Sequence, residues 1–375
     1  MNASVQLGRI AGIRIGVNWS WLVVFVLIAW TLESAVFPSE NPGLSHGTYL
    51  AMAMIAALLF FCSLLLHELG HALRARREGM EIDGITLWLF GGVAQFKGMF
   101  PSAAAEFRIA IAGPLVSLAL GLTFALGALW IAFPESVDGV IAWLGYINLV
   151  LLVFNMVPAL PLDGGRVLRS ALWYARGSFA WATHVAATIG RGFGFLMIAA
   201  GLFLFIFESS FSGAWLAFIG WFLLQAAAAE VRYLAVQEAL GGLRVRDLMI
   251  REPVTVPADL SLGRFMDEVA WSRRYTSYPV LDDGRVVGLL AFRCVAEVPR
   301  TEWDERTVRD CMIPREEVPV LEEDETAADA LTALGGSQVN RGLVLDGERL
   351  VGFLSITDVA RALEVGFPRR RYLRY

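Results

Sequence analysis

The stretch Phe61-Cys62-Ser63-Leu64-Leu65-Leu66-His67-Glu68-Leu69-Gly70-His71 decides how the rest of the chain is read. Two histidines four residues apart on a helix lie on one face, a turn apart, and can share one metal ion. Glu68 stands beside the first of them, where a carboxylate can take a proton from a water that the metal polarises. The surroundings are unusual. From Tyr49 to Leu66 the sequence is almost wholly apolar, so these polar side chains fall at the end of a segment that reads as membrane-spanning. Ionisable groups at such a depth are costly and are kept for function.

Composition agrees with that setting. The chain has 375 residues, of which 56% are hydrophobic, and a mean hydropathy of +0.56. This is the signature of a polytopic membrane protein. The apolar residues are concentrated before about residue 235 and the charges after it, which predicts a membrane domain followed by a soluble one. A net charge of -5 carries no nucleic-acid signature. Cys62, Cys294 and Cys311 show neither pairing nor ligand spacing, and two lie in the charged part, so a reducing, cytosolic side is expected for it. The first apolar segment begins near Trp19 with no small-residue cleavage site after it, so no signal peptide is expected.

Residues 1–18 read as a short strand-like or interfacial lead-in. Six apolar segments are expected at about 18–32, 49–73, 107–133, 140–157, 191–207 and 211–233. The connections holding Glu33, Glu40, Glu135, Asp138 and Glu208 have no Lys or Arg. The opposite set holds Arg9, Arg14, Arg74, Arg76, Arg77, Lys97, Arg166, Arg169, Arg176, Arg232 and Arg244. That bias places both termini in the cytosol. His67 is seven residues before Arg74, or about 10 Å along a helix, so the metal is expected inside the bilayer near its cytosolic face.

Between the second and third segments, residues 82–96 are β-branched and aromatic on both sides of Gly91-Gly92, which signals a hairpin with a Gly-Gly turn. Its exposed edge could accept an extended peptide by strand addition, or it could be a surface hairpin with no substrate role. Ala112-Gly113-Pro114 is read as opening the third segment, near a tight helix contact. The fourth segment ends in Asn155-Met156-Val157-Pro158-Ala159-Leu160-Pro161-Leu162-Asp163-Gly164-Gly165-Arg166, where two prolines and two glycines break the helix. Asp163 is expected on unwound chain at the depth of His71. Catalytic zinc commonly takes three protein ligands and leaves a fourth position for water; His67, His71 and Asp163 close that count. The Asn155 amide could donate to the oxyanion of a tetrahedral intermediate or could cap broken backbone. His46 and His184 have no partner at ligand spacing and are read as non-ligands.

His67-Glu68-Leu69-Gly70-His71, Gly91-Gly92, Gly113-Pro114 and Asn155 through Gly165 together resemble the site-2 protease family of intramembrane zinc metalloproteases. The resemblance covers about residues 1–235. It implies a helical membrane domain with a short β-hairpin, one Zn2+ held by His67, His71 and Asp163, and Glu68 as catalytic acid/base. It also implies hydrolysis of a peptide bond within or near a transmembrane segment of a substrate protein, that is, regulated intramembrane proteolysis. No peptide-binding domain interrupts segments two to four, so the chain resembles the branch with a C-terminal regulatory domain instead.

That C-terminal part contains a repeat. Val245-Arg246-Asp247-Leu248-Met249 recurs as Val308-Arg309-Asp310-Cys311-Met312, each followed by a helix-like run and a strand pair around a turn. The pattern resembles the α/β tandem CBS module. The expected division is 1–240 for the membrane domain, with repeats at 245–298 and 308–365. The resemblance implies a likeness to nucleotide-binding modules, and its Ser/Thr-x-x-Asp signature is present only in the second copy, as Ser355 and Asp358. Asp358 could hold the ribose of an adenine nucleotide or serve as a helix N-cap. The CBS module also implies a homodimer. The rival readings are a CBS-regulated membrane transporter or channel, which should show discontinuous helices in both halves, and a zinc-bound scaffold, which should lack Glu68.

Overall fold

Six helices among the described residues are long and apolar enough to cross a membrane: Ser20–Glu40, His46–Arg77, Ala103–Trp130, Glu135–Asn155, Phe179–Phe207 and Ser212–Leu240. The computed structural model describes residues 5–88, 91–96, 98–208, 210–273, 275–337 and 339–371. By its internal contacts the chain divides into two units, Met1–Leu234 and Ala235–Tyr375.

The first unit opens with a hairpin, β1 (Val5–Ile10) and β2 (Ile13–Val17). Helix α1 (Ser20–Thr31) follows and is prolonged through a π-helical turn to Glu40. Next comes α2 (His46–Arg77), which Ser45 caps by accepting from the Thr48 N–H and which ends in Arg74, Arg76 and Arg77. Then come β3 (Ile82–Trp88), β4 (Gly91–Phe96), α3 (Ala103–Trp130) and α4 (Glu135–Asn155). After a loop of prolines lie α5 (Asp163–Arg176), α6 (Phe179–Phe207) and α7 (Phe211–Leu240). The strands form one sheet in the order β1-β2-β3-β4, with β2 and β3 parallel and the other pairs antiparallel.

Several boundaries differ from the sequence expectation. Trp88 pairs with Gly91, so Gly91 and Gly92 stand in β4 rather than in the turn; Leu89, Phe90 and Lys97 lie outside the described residues. Ala112-Gly113-Pro114 sits well inside α3, which starts at Ala103 behind the Ser102 cap. Helix α6 begins twelve residues before the expected 191, at Phe179. Thr183, His184, Thr188 and Arg191 dilute its hydropathy there, although Ala182, Ala186 and Ala187 are fully buried. Asp163 is the first residue of a separate helix rather than part of unwound chain.

Buried charge fixes α5. Arg169 is 3% exposed and its Nε donates to Glu106 of α3 at 2.7 Å; its Nη1 reaches Glu230 of α7 at 3.2 Å. Removing one member of a buried pair leaves the other charge stranded, which costs about 3–5 kcal/mol. Arg169→Met should lower the melting temperature of the purified chain accordingly, and adding Glu106→Leu should restore most of it. At the C-terminal end of α2, Glu78 is gripped by Arg108 at 2.8 and 2.6 Å and by Arg74 at 2.6 Å. The bond from Arg108 holds the Glu78 carboxyl down to about 2, so this clamp stays ionised across the ordinary pH range.

The second unit holds two four-stranded sheets, β10-β11-β12-β5 and β6-β7-β8-β9. Here β5 is Ile250–Arg251, β6 Val256–Pro257, β7 Ser277–Asp282, β8 Arg285–Ala291 and β9 Ile313–Pro314. The remaining strands are β10 (Val320–Leu321), β11 (Arg341–Asp346) and β12 (Arg349–Ser355). Each repeat thus gives its first strand to the other's sheet: β5 pairs with β12, and β9 with β8. Leu289, Val318, Val339, Leu343, Leu345 and Phe353 form a shared core. The recurring Val-Arg-Asp is a capping device. Asp247 Oδ2 accepts the Arg244 N–H at 2.8 Å, and Asp310 Oδ2 accepts the Thr307 N–H at 2.8 Å.

Candidate metal centre

Helix α2 delivers His67, Glu68 and His71, and its packing on α3 sets their surroundings. A Cβ on Gly70 would stand 3.1 Å from the Ala112 carbonyl, so the two backbones approach closely at this point. That approach brings the outer nitrogen of each imidazole to α3. His71 Nδ1 donates to the Ile109 carbonyl at 2.7 Å, and His67 Nδ1 meets Ser117 Oγ at 2.8 Å. A carbonyl only accepts, so His71 carries its proton on Nδ1 and turns the bare lone pair of Nε2 inward.

Asp163 closes the set from α5. Its Oδ2 lies 3.2 Å from His67 Nε2 and 3.2 Å from His71 Nε2, and the two Nε2 atoms are 3.2 Å apart. All three residues are buried, at 3%, 3% and 8% exposure. The loop before α5 folds back tightly on the helix start. A Cβ on Gly164 would strike the Met156 carbonyl at 2.4 Å, and one on Gly165 would strike the Leu160 amide nitrogen at 2.3 Å. The Asp-Gly-Gly sequence therefore lets Asp163 project from a helix end wedged against that loop.

Three inward-facing ligand atoms with little water access, one of them on a carboxylate, are placed so that they could share a cation. Two imidazoles and a carboxylate are a donor set that suits zinc, and both imidazoles have the second hydrogen bond that orients such ligands. Among the described residues this is the one group of His, Cys, Asp or Glu with ligand atoms close enough to share an ion. The space beside it is kept by glycine, since a Cβ on Gly113 would lie 2.2 Å from His71 Nε2 and 2.6 Å from His67 Nε2. Glu68 is half-buried against β4, where a Cβ on Gly92 would lie 2.2 Å from its Cγ.

The other expected residues are placed as follows. Asn155 is the last residue of α4, half-buried, and its amide makes no hydrogen bond to a described residue. His46 pairs with Glu33 at 2.8 Å, and His184 is an exposed residue of α6; neither belongs to the cluster. Ser355 and Asp358 bond to each other, Oγ to Oδ2 at 2.6 Å, and Asp358 Oδ2 also accepts the Ser355 N–H at 3.1 Å. That is the geometry of a cap on the helix Ile356–Arg371. The side chains of Arg369, Arg370 and Arg371, read from the sequence as a solvated or lipid-facing tail, lie outside the described residues. Sequence reasoning missed Ser117 and the Ile109 carbonyl, placed Arg169 in a connection rather than in buried ion pairs, and took Gly92 for a turn. The tight helix contact expected at Ala112-Gly113-Pro114 is the approach of α3 to α2. An isolated serine in an apolar helix was the available signal for Ser117.

The sequence model of Peptidase family M50 matches residues 55–138 and 131–199, and that of the CBS domain matches 245–298 and 308–365. The chain is 38% identical over 370 residues to the putative zinc metalloprotease Rip3 of Mycobacterium tuberculosis, covering 97% of this chain and 94% of that protein. It is 33% identical over 368 residues to the putative zinc metalloprotease sll0528 of Synechocystis, covering 97% and 96%. The solved site-2 protease from Methanocaldococcus jannaschii is 29% identical with a TM-score of 0.42, covering 61% of this chain and 95% of that one. The chain belongs to Peptidase family M50, the site-2 protease family of intramembrane zinc metalloproteases, and carries tandem CBS domains on its C-terminal side.

Proposed function

We propose that His67, His71 and Asp163 hold one zinc ion per chain and that Glu68 is the acid/base of an intramembrane peptidase. The observation that carries this reading is the mutual 3.2 Å spacing of Asp163 Oδ2 and the two Nε2 atoms. Bound there, zinc supplies the Lewis acidity that lowers the pKa of water toward about 7. Glu68 takes a proton from the attacking water as its oxygen bonds to the scissile carbonyl carbon. It returns that proton to the nitrogen as the C–N bond breaks, and the second water proton passes from the new carboxylic acid to the amine, leaving a carboxylate and an ammonium. The Asn155 amide, which bonds to no described residue, donates to the carbonyl oxygen as charge develops on it.

The substrate is a transmembrane protein whose helix must first open, because helical backbone hides its carbonyls. β4 is the outer strand of its sheet and lies against Glu68, so an extended segment added to its free edge would pass the acid/base. Arginine-rich connections on one side only support a cytosolic position for both ends and for the CBS part. A CBS-regulated transporter finds no support among the relatives that match nearly the whole chain.

The C-terminal pair is the regulatory part of this reading, with the membrane domain at 1–240, repeats at 245–298 and 308–365, and a homodimer formed through it. An adenine nucleotide at Ser355 and Asp358 would have to share Asp358 with the cap it already makes. Thermal melting with AMP or ATP separates the two roles. A stabilisation lost in Asp358→Ala assigns the ribose site, and no stabilisation leaves the pair as a cap.

The ligand assignment is tested on purified chain. Wild type should hold one zinc and cut a single-span substrate, while His67→Ala and Asp163→Ala should each lose the metal. Full zinc in either variant would end the assignment.

A further inference from the structure

Asn148 of α4 is 0% exposed, and nothing in the sequence marked it. Its Nδ2 donates to the Leu144 carbonyl at 2.8 Å and to Ser63 Oγ at 3.4 Å. Because a carbonyl can only accept, the Leu144 bond fixes which way the amide faces. Oδ1 is left buried without a donor. Ser63 lies one turn before His67 on α2, and its own hydroxyl donates to the Leu59 carbonyl at 3.0 Å.

Ser117 of α3 has the complementary gap. When His67 turns the lone pair of Nε2 toward a cation, Nδ1 carries the proton and donates to Ser117 Oγ, 2.8 Å away. The Ser117 hydroxyl then has a proton to give, and no other described residue receives it. Ser117, too, is 0% exposed. Asn148 reaches α2 at Ser63, and Ser117 reaches it at His67, one turn further on. Successive turns are about 5.4 Å apart, close to the span of a water making two hydrogen bonds of about 2.8 Å. α3 and α4 touch at this place. A Cβ on Gly121, one turn beyond Ser117, would stand 3.3 Å from the backbone nitrogen of Leu149, the neighbour of Asn148.

We propose that one buried water accepts from the Ser117 hydroxyl and donates to Asn148 Oδ1, which makes Asn148 a positioning residue for the His67 imidazole. The proposal rests on His67 being a zinc ligand. Ordered waters commonly occupy such sites and join otherwise unsatisfied buried groups. Their effect here is to fix the Ser117 hydroxyl as an acceptor for His67, so that Nε2 stays free of a proton and aimed inward.

The test uses the full chain in detergent and zinc alone, with affinity read by competition against a chromophoric chelator. Asn148→Leu, Ser117→Ala and the double variant are compared with wild type. Each single change should weaken zinc binding by about 10–100-fold, and the double should be no weaker than the poorer single. A merely structural Asn148 would lower the melting temperature and leave zinc affinity at the wild-type value. That result, or single effects that multiply in the double variant, overturns the proposal. If the leucine variant does not accumulate, the smaller apolar Asn148→Val is read the same way. A wild-type chain that binds no zinc would instead defeat the ligand assignment of His67, and this proposal with it.

Discussion

Gly113→Ala is expected to give a protein that holds no zinc and cleaves nothing. The added carbon would stand 2.2 Å from His71 Nε2 and 2.6 Å from His67 Nε2, whereas real Cβ contacts essentially never come below 3.0 Å. Drawing the α3 backbone back to relieve this would open its close approach to α2 at Gly70 and Ala112. The imidazoles must swing instead, and in doing so they leave the Ile109 carbonyl and Ser117 that orient them. Overpacking of one carbon costs the fold about 1–3 kcal/mol, so the chain should still assemble in the membrane. Metal analysis and cleavage of a single-span substrate are the measurements. Full zinc in the alanine variant would mean that the imidazoles do not sit where the structure has them.

Glu68→Gln should give the opposite combination: zinc stays and cleavage falls by about 10²–10⁴-fold, the usual worth of a positioned acid/base. Glutamine keeps the shape of glutamate but cannot take up the proton of the attacking water. Glu68 contributes no atom to the three-residue cluster, so the metal content has no reason to change. Gly92→Ala gives an independent check by displacement. Its Cβ would fall 2.2 Å from Glu68 Cγ, moving the carboxylate while leaving its chemistry intact, so it too should keep zinc and lose activity. Full cleavage by Glu68→Gln would take Glu68 out of the reaction.

The three cluster residues were legible in the sequence because helical periodicity puts His67 and His71 on one face, and because proline and glycine announced the break before Asp163. The apolar runs likewise announced the spans. What could not be read was depth and facing. Ser117 and Asn148 are single polar residues in apolar helices, and only packing shows that they meet α2. Gly113 looked like a helix-contact glycine, and only the position of the imidazoles shows what its missing side chain leaves room for. The start of α6 was missed because a helix buried through alanines against its neighbours needs little hydropathy of its own. Gly91 and Gly92 misled because a Gly-Gly pair is a turn signal, while here it marks the place where a strand passes a carboxylate.

The exchange of β5 and β9 between the two C-terminal sheets has a consequence for dissection. Severing the polypeptide between its paired halves would leave two fragments, each with a vacant border and each carrying the strip that belongs on the other. Neither half is a portable module. They should melt in one transition, and a perturbation entering either half has no seam at which to stop.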